Sequence, residues 1–297
     1  MNHAIHEWLR DGRLHLQHGP IDVLIECWGE RSECDAAYGQ ARERFDAILG
    51  ELVGELHRLR QPVGDIYPLL RGPVARRMVA AVWPCREVFV TPMAAVAGAV
   101  SDELIAWLLK GRTLQKACVN DGGDIALHVA PGEEIEIGIV ADISRPALTA
   151  RTRIGFSSPA RGVATSGWRG RSQSLGIADA VTVLADNAAM ADAAATLIAN
   201  AINIDHPAIE RRPARQVKED SDLGDLPVTV AVDPLLPHEK REALANGLAT
   251  ARRMQARGLI QAAYLALQGA TAVVPAADAL KLAKLPASIR SPAHDHR

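Results

Sequence analysis

Apolar and polar residues recur along this chain with two different periods, and the switches between them predict a mixture of strands and helices. Alternation with a period of two over residues 13–28, interrupted by His-Gly-Pro, predicts a β-hairpin. Apolar positions spaced three and four apart predict a long helix over 33–60 and shorter helices over 73–83 and 93–111. Strands and helices that follow each other so irregularly favour an α+β fold with a largely antiparallel sheet.

The remaining segments extend this mixed pattern. Residues 117–129 predict a strand in which Gly122-Gly123 mark a bulge, or a place where another group comes close to the backbone. Residues 204–227 are polar and contain prolines, so they predict a long surface connection. The other expected elements are a strand over 87–92, a hairpin partner of 117–129 over 135–140, strands over 147–156, 163–165, 178–184, 228–232 and 259–269, an Ala-rich helix before Asn203, and a charged helix over 237–258.

Composition limits the kind of protein this is. Of its 297 residues 48% are hydrophobic and 23% are charged, which is ordinary for a soluble globular chain. The formal net charge is −2 and only 4% of residues are aromatic, so we expect neither nucleic acid nor a membrane as partner. Because the four cysteines form no CxxC pair and no apolar leader stands at the N-terminus, we expect a cytoplasmic protein.

The best candidate for a functional segment is residues 161–203, where a Gly/Ser/Arg-rich connection joins two strands ahead of the Ala-rich helix. Asp192 and Thr196 lie one helical turn apart and present oxygen atoms on one face. Magnesium prefers such oxygen ligands and takes few of them from protein, so the pair could hold this ion. An acidic residue near a helix start is also explained by the helix dipole alone.

The connection itself offers features suited to an anion. Backbone N–H groups near Gly167 and the side chains of Arg169 and Arg171 could hold phosphate oxygens, as glycine-rich loops do. A flexible surface loop explains the same composition. Familiar catalytic signatures are absent from the chain: it has no GxGxxG, no Walker A lysine loop, no GxSxG and no HExxH.

Three blocks of the chain resemble, when taken together, the ApbE-like superfamily of FAD:protein FMN transferases, and more closely an uncharacterised branch of that superfamily. The blocks are VAGAVSDELIAWLL (96–109), VNDGGDIAL (119–127), and VATSG (163–167) followed by VTVLADNAAMADAAAT (181–196). The resemblance implies one domain over 1–297 with two closely joined lobes, FAD between the lobes, and magnesium at the pyrophosphate. The tail over 277–297 is expected to be flexible.

The resemblance also implies roles for individual residues. Asp192 and Thr196 would be magnesium ligands, together with a main-chain oxygen between Ala97 and Ala99. The residues expected to border the nucleotide are Gly98, Gly122, Gly123, Thr165, Ser166 and Gly167. Two features depart from the family's pattern: the lysine expected before Gly98 is replaced by Ala97, and residues 168–180 replace a histidine-containing segment of the transferases.

Two hypotheses about function follow from these residues. The first is a magnesium-dependent enzyme that acts on FAD or a related pyrophosphate cofactor, with Arg169 and Arg171 on the phosphates and an acceptor protein as a possible second substrate. Asp179 and Asp121 are its candidate catalytic residues, by position only. The second is a non-catalytic binding or accessory protein that carries a flavin or a pterin-like cofactor, in one-carbon metabolism. The replaced segment 168–180 makes protein flavinylation the least certain part of the first hypothesis.

Overall fold

Nine antiparallel strands form the central sheet of this protein, whose computed structural model describes residues 4–140, 148–276 and 283–284. In chain order the elements are β1 (Ile5–Trp8), β2 (Leu14–His18), β3 (Ile21–Trp28), α1 (Arg31–Leu59), α2 (Pro73–Val82), α3 (Val96–Leu109), β4 (Lys116–Asp121), β5 (Asp124–Val129), β6 (Glu134–Val140), β7 (Leu148–Gly155), β8 (Gly162–Ser166), β9 (Ala180–Ala185), α4 (Ala188–Ala201), β10 (Ile209–Pro213), α5 (Ala214–Val217), β11 (Pro227–Val232), α6 (Pro237–Ala256), β12 (Ala262–Leu267), β13 (Ala270–Val274) and β14 (Ala283–Lys284).

The central sheet has the order β1-β2-β3-β4-β5-β8-β9-β12-β13, and β6, β7 and β14 form a smaller sheet. Because side chains alternate along a strand, the central sheet has two faces to cover. On one face Val119 and Val183 join the main core, which also contains the apolar sides of α1, α3 and α4. On the other face Leu127 and Val163 pack with Ile154 of the small sheet. This arrangement confirms an α+β fold with largely antiparallel sheets and packing helices.

The first long helix forms where the period of 3.6 predicts it. Glu30 precedes α1 and its side chain accepts a hydrogen bond from the backbone N–H of Arg31 at 3.1 Å, which satisfies one of the free donors of the first turn. Phe45 and Ile48 are completely buried on the side of α1 that faces the sheet. Burying an aliphatic or aromatic side chain of this size contributes roughly 1.5–3 kcal/mol.

A buried cluster of charges joins α1, α2 and α3. The Glu103 carboxylate accepts hydrogen bonds from Arg44 Nε at 2.9 Å, Arg77 Nε at 3.1 Å and Trp107 Nε1 at 3.1 Å. Arg44 also donates to both oxygens of Glu51, at 3.0 and 2.7 Å. Burial alone would raise the pKa of Glu103, but the two arginines overcome this effect and hold the pKa below its usual value. The cluster therefore fixes α3, which carries one end of the candidate site.

Helices α3 and α4 cross in unusually close contact. A Cβ placed on Gly98 would lie 2.2 Å from the backbone oxygen of Ala188, so only glycine fits at this position. Each helix supplies a carboxylate to the start of the other. Asp102 of α3 accepts from the N–H groups of Ala188 and Ala189, both at 2.9 Å, and Asp192 of α4 accepts from the N–H of Gly98 at 3.1 Å. This reciprocal capping satisfies helix N-termini that would otherwise be buried without partners.

Several expectations about the strands were wrong. Residues 117–129 are not one interrupted strand, since Gly122 and Gly123, with φ of 64° and 113°, form a two-residue turn that joins β4 to β5 as a hairpin. Strand β6 does not pair back on β5. It pairs with β7 in the small sheet, because the apolar side chains of both strands cover the far face of the central sheet.

Three further segments differ from their predictions. Residues 87–92 form no strand, but a turn followed by a 3₁₀ helix over Pro92–Ala95. The connection over 204–227 contains β10 and α5, since Ile209–Pro213 pairs with β11. The last strand is followed by a second one, β13, which pairs with it as a hairpin. For β10, the pairing depends on a strand that follows only after α5 and a further connection, which periodicity alone does not specify.

One apolar helical stretch among the described residues, Pro92–Leu109, is long enough to cross a membrane. Of this stretch 61% is buried inside the fold, where α3 packs against α1, α2 and α4, as a core helix does. The predicted flexible tail over 277–297 lies outside the described residues apart from β14. The division of the chain into one domain with two lobes stays a prediction.

Candidate functional site

Two acidic side chains face each other where the β4–β5 hairpin turns. Asp121 ends β4 and Asp124 begins β5, and the two residues are direct partners across the strands. Because the alternation on these strands places Val119 and Ala126 in the main core, both carboxylates lie on the face covered by the helices. Like charges directly opposite each other destabilise a sheet, so this pairing has no structural advantage of its own.

A third carboxylate, that of Asp192 on α4, interacts electrostatically with this pair. Burial raises the pKa of Asp121 to about 7, against the effect of a hydrogen bond from the N–H of Asp22 and of the nearby Arg171. Burial and the charge of Asp121 together raise the pKa of Asp124 to about 7. Burial, followed by the charges of Asp124 and Asp121, raises the pKa of Asp192 well above its usual value. Three acids are thus gathered without enough positive charge to balance them.

The Asp124 carboxylate is the least satisfied member of this cluster. Its Oδ1 atom is buried and has no hydrogen-bond partner among the described residues. The backbone N–H of Thr165 on the neighbouring strand β8 stabilises the Asp124 carboxylate. The backbone oxygen of Asp124 accepts a hydrogen bond from Ser101 Oγ at 2.8 Å. A buried carboxylate oxygen without a partner is costly, which indicates that something else satisfies it in the working protein.

Asp192 has a structural explanation as well as a functional one. Its Oδ2 atom accepts from the N–H of Gly98, so the side chain caps α3. Thr196 follows one turn later on α4 and is half-buried, and within the described residues its hydroxyl makes no side-chain hydrogen bond. The predicted pair therefore lies on one face of α4, with one member already engaged by α3. Its role as a metal ligand stays a prediction.

Magnesium fits the chemistry of this cluster, although protein side chains alone would not hold it. Across the described residues, no three His, Cys, Asp or Glu side chains come together closely enough to hold a metal ion. Hard carboxylate oxygens are nevertheless what magnesium prefers, and this ion commonly takes one or two protein ligands and completes its shell with phosphate and water. The unpartnered oxygen of Asp124 and the excess of negative charge are the observations that favour such an ion.

Arg171 lies directly against the hairpin turn. Its Nη2 atom is 3.9 Å from Asp121 Oδ1, and a Cβ on Gly122 would lie only 2.1 Å from the same nitrogen. Glycine is therefore required at position 122 for two reasons: the backbone has a positive φ, and the guanidinium group takes the space that a side chain would fill. Because the Arg171 side chain is largely exposed, it can also reach a ligand above the turn. The structure therefore places Arg171 against Gly122 and Asp121 at the turn. The roles that the sequence suggested for these residues and for Asp192 stay predictions.

A second group of predicted residues belongs to a different set of contacts. Asp179 lies 3.5 Å from Arg169 Nε and accepts a hydrogen bond from the backbone N–H of Gln268 in the β12–β13 turn. The Arg169 guanidinium stacks over the Trp168 ring, 4.3 Å from its centroid. Gly167 touches the backbone of Asp179, since a Cβ there would lie 2.2 Å from the Asp179 oxygen. Asp179 therefore holds its own segment in place, and no contact with the three acids is found in the described part of the chain.

Thr165 reaches the site with its backbone only. Its hydroxyl is 2.8 Å from that of Thr182 on β9. It lies two residues from Val163, so it points to the face that the small sheet covers. The neighbouring Ser166 points to the helix face by the same alternation. Of the predicted nucleotide-binding residues on this strand, Ser166 lies on the same face of the sheet as Asp121 and Asp124.

Sequence reasoning missed the part that Asp124 plays. The signal was present, because two glycines between two alternating runs are a strong indication of a two-residue hairpin. Such a hairpin places its flanking residues opposite each other, which brings Asp121 and Asp124 together. The capping role of Asp102 carried no comparable signal, since it depends on how α3 and α4 cross.

The fold and the acid cluster define a class of protein: an antiparallel sheet under a helical layer, with buried carboxylates gathered at a Gly-Gly hairpin. A model of the family described as "AbpE bacteria" matches residues 6–273, so the chain belongs to that family. The uncharacterised branch of the ApbE-like superfamily that the sequence suggested is confirmed by this match and by the following relatives.

The chain is similar to archaeal proteins named UPF0280. It is 37% identical over 162 residues to the one from Methanothermobacter thermautotrophicus, which covers 52% of this chain and 61% of the relative. It is 42% identical over 118 residues to the one from Methanococcus vannielii, which covers 37% and 45% of the two chains. The matched region therefore spans less than two thirds of the length of these relatives. Among solved structures, the flavin transferase ApbE from Vibrio cholerae matches 92% of this chain and 98% of its own, with 12% identity and a TM-score of 0.51, which shows a shared fold.

Proposed function

We propose that this protein binds FAD, or a related cofactor that contains a pyrophosphate, beside Asp121, Asp124 and Asp192 in a magnesium-dependent manner. The observation that carries the proposal is the hairpin turn, where the buried Asp121 carboxylate faces that of Asp124, whose buried Oδ1 atom has no partner among the described residues. Such an arrangement suits a cation and the phosphates that accompany it. Flavin is the favoured cofactor because a solved protein of this fold is named a flavin transferase.

Three oxygen-bearing side chains are candidates to hold the ion. Asp192 and Thr196 are those that the resemblance implies, and Asp124 joins them because of its unpartnered oxygen. When bound, magnesium would neutralise charge on the pyrophosphate and on a leaving group. Asp121 adds a further negative charge and lies beside the largely exposed side chain of Arg171.

Arg171 is the group proposed to bind phosphate. A guanidinium group binds phosphate oxygens through paired N–H donors, and Arg171 is exposed above the turn. Gly98, at the start of α3, already donates its N–H to Asp192, so it would border the phosphate by close approach and not as a free donor. Arg169 has a smaller share in this proposal, since Asp179 and Trp168 already engage it. Gly123, which has no atom within 4 Å of an added Cβ, leaves room for the nucleotide to approach the backbone, while Gly122 makes space for Arg171.

If the protein is an enzyme, Asp121 is the better of the two candidate bases. Burial raises its pKa to about 7, which is where a general base works best near neutral pH. In a transfer or hydrolysis reaction, its carboxylate would take the proton of the attacking hydroxyl group or water. Asp179 is the weaker candidate, because an arginine and a backbone N–H occupy its two oxygens. An acceptor protein would be the second substrate of a transferase.

A non-catalytic binding or accessory protein is the second candidate function. The observation that favours it is the segment 168–180, where Trp168, Arg169 and Asp179 contact each other instead of presenting free groups to a substrate. The protein would then carry a flavin or a pterin-like cofactor. For either function we propose the cytoplasm as its location, since all four cysteines are free thiols.

Calorimetric titration of the purified protein tests the binding site. FAD, FMN and ADP are titrated with and without magnesium into the wild type and into Asp124→Asn, which keeps the shape of the side chain and removes its charge. We expect FAD to bind in the presence of magnesium, and the variant to lose at least about tenfold in affinity, because a charge-assisted contact is worth roughly 1.5–3 kcal/mol. Asp35→Asn, an exposed acid on α1, is the matched control and should bind as the wild type does.

The same samples separate the two functions. Release of FMN or AMP from bound FAD would establish an enzyme, and stable binding without turnover would favour the accessory protein. Absence of binding by every one of these nucleotides at high micromolar concentration would contradict the proposal. Equal binding by the wild type and Asp124→Asn, with and without magnesium, would show that the nucleotide binds elsewhere.

A further inference from the structure

The tip of the ribbon formed by β10 and β11 reaches beyond its own strands to other parts of the fold. The residues after α5 connect the two strands, and we call residues 218–224 the strap. The backbone N–H of Thr229 on β11 donates to the oxygen of Ser174 at 2.9 Å, and Gln173 Nε2 donates to the oxygen of Ala214 at 2.9 Å. The ribbon that carries the strap is therefore fixed to the segment after β8.

Within the described residues, only side chains tie the strap to parts of the chain outside the ribbon. Three contacts do so: Thr91 Oγ1 donates to Asp222 Oδ2 at 2.6 Å, Arg60 Nη2 donates to Asp220 Oδ2 at 3.0 Å, and Ser221 Oγ donates to Gln173 Oε1. The backbone hydrogen bonds of the strap stay between residues 214 and 226. The three contacts can therefore break while the backbone hydrogen bonds of the ribbon are kept.

These contacts place the strap between the two sides of the candidate site. Thr91 directly precedes the 3₁₀ helix over Pro92–Ala95, which continues into α3 and so leads to Gly98. On the other side Gln173 follows Arg171 by two residues, which is at most about 7 Å of chain. The strap therefore joins the segment that carries Gly98 to the segment that carries Arg171.

The accessible face of α4 lies in the gap that the strap crosses. Asp192, Thr196 and Asn200 follow one another at single turns of the helix and are half-buried, while the residues between them are buried. Asp192 accepts from the N–H of Gly98 at one side of the gap, and Asn200 Oδ1 accepts from Ser174 Oγ at the other, both at 3.1 Å. The strap thus spans the opening in front of the face that carries the proposed magnesium ligands.

We propose that the strap is a gate over the nucleotide cleft, which its three contacts hold closed and which swings open on the ribbon when a nucleotide enters or leaves. This inference takes its ligand from the proposed function. The strap contains one lysine and three acids, so in the closed position it opposes the approach of phosphates to Arg171. Its ends suit a hinge, since Lys218 ends α5 and Gly224 has a φ of 56°.

Thiol labelling tests the gate without any nucleotide. Thr91 is 3% exposed, so in Thr91→Cys the closed strap protects the new thiol from a maleimide. Trypsin cuts after Arg86 and Lys110, and the sequence between them contains no natural cysteine, so mass spectrometry of this peptide measures the label. In that protein, Arg60→Gln with Ser221→Ala removes the two remaining contacts. Labelling should become about tenfold faster, since a hydrogen bond and an exposed ion pair together correspond to roughly this factor.

Stopped-flow mixing with FAD and magnesium tests the gate with its ligand. Thr91→Val and Asp222→Ala each remove the same hydrogen bond and should raise the association rate constant about tenfold, because a hydrogen bond to a charged group changes the open population by at least roughly this factor. The double variant should be no faster than the single variants, since both changes break one contact. Asp225→Ala is the matched control: it removes a like charge, which pairs with Arg215 inside the ribbon, and should bind at the wild-type rate.

Equal melting temperatures establish that all variants are folded. Unchanged labelling after loss of the two contacts, unchanged association in Thr91→Val, or the same acceleration in Asp225→Ala would each overturn the gate and make the strap a fixed brace. A wild type that binds none of the nucleotides contradicts the proposed function, and labelling then still decides whether the strap opens. Normal binding with equal association rates in all strap variants contradicts the gate alone.

Discussion

Substitution of Gly98 by alanine tests the crossing of α3 and α4, on which the whole candidate site depends. The new Cβ would lie 2.2 Å from the backbone oxygen of Ala188, and an ordinary contact needs 3.4 Å, so the helices must separate by about 1.2 Å. A backbone carbonyl inside a helix has no rotamer that relieves the contact. The separation also stretches the hydrogen bonds that Asp102 and Asp192 make to the opposite helix starts.

The magnitude follows from these two effects. Overpacking of a core costs about 1–3 kcal/mol, and weakening of the charged caps adds roughly 1.5–3 kcal/mol. Alanine recovers about 1 kcal/mol through its better helix propensity. We therefore expect Gly98→Ala to lower the free energy of unfolding by roughly 1.5–5 kcal/mol, or the melting temperature by about 2–8 °C for a chain of this length. Because the shift displaces the Asp192 carboxylate, magnesium-dependent nucleotide binding should weaken as well.

Urea unfolding followed by circular dichroism measures the effect, and Gly39→Ala is the matched control. Gly39 lies in the exposed part of α1 and no atom stands within 4 Å of its added Cβ, so the same substitution there should stabilise the protein by up to about 1 kcal/mol. Opposite signs for the two variants are the expected result. A Gly98→Ala protein as stable as the wild type would refute the close crossing and with it the reciprocal capping.

Three further predictions concern other residues. Glu103→Gln should destabilise the fold by about 2–4 kcal/mol in urea unfolding at neutral pH, since it leaves the buried Arg44 with one carboxylate partner instead of two. Because the pKa of Glu103 is lowered in the fold, its stabilising contribution is present above the usual value of 4.5 and is lost as the pH falls through the lower folded value. The stability of Glu103→Gln should therefore decrease less than that of the wild type below pH 4.5. Equal decreases of stability with acid in the two proteins would contradict this. Gly122→Ala and Gly132→Ala should each cost about 1–2 kcal/mol because both glycines have positive φ. Only Gly122→Ala, which displaces Arg171, should weaken nucleotide binding in calorimetry, and equal affinities would contradict the role of Arg171.

Local pattern alone predicted the helices well. The apolar period of α1, the proline that opens α2 and the Ala-rich run of α4 are properties of neighbouring residues, and each helix satisfies its own backbone hydrogen bonds. The resemblance in residues 96–196 likewise pointed to the correct family and fold. Asp192 and Arg171 were proposed as site residues because they stand in, or next to, these recognisable blocks.

Strand partners and the membership of the site depended on the tertiary structure. A period of two tells which residues share a face of a strand, but not which strand lies beside it, so β6 was assigned to the wrong partner and β13 was missed. The raised pKa of Asp124 and the contacts of Asp179 with Arg169 and Gln268 also depend on the tertiary structure, because only folding brings these groups close together. The sequence by itself therefore determined the helices and the family, and it supplied candidates for the site. Burial and the crossing of α3 over α4 decided which carboxylates are left without balancing charge, because these depend on distance in space.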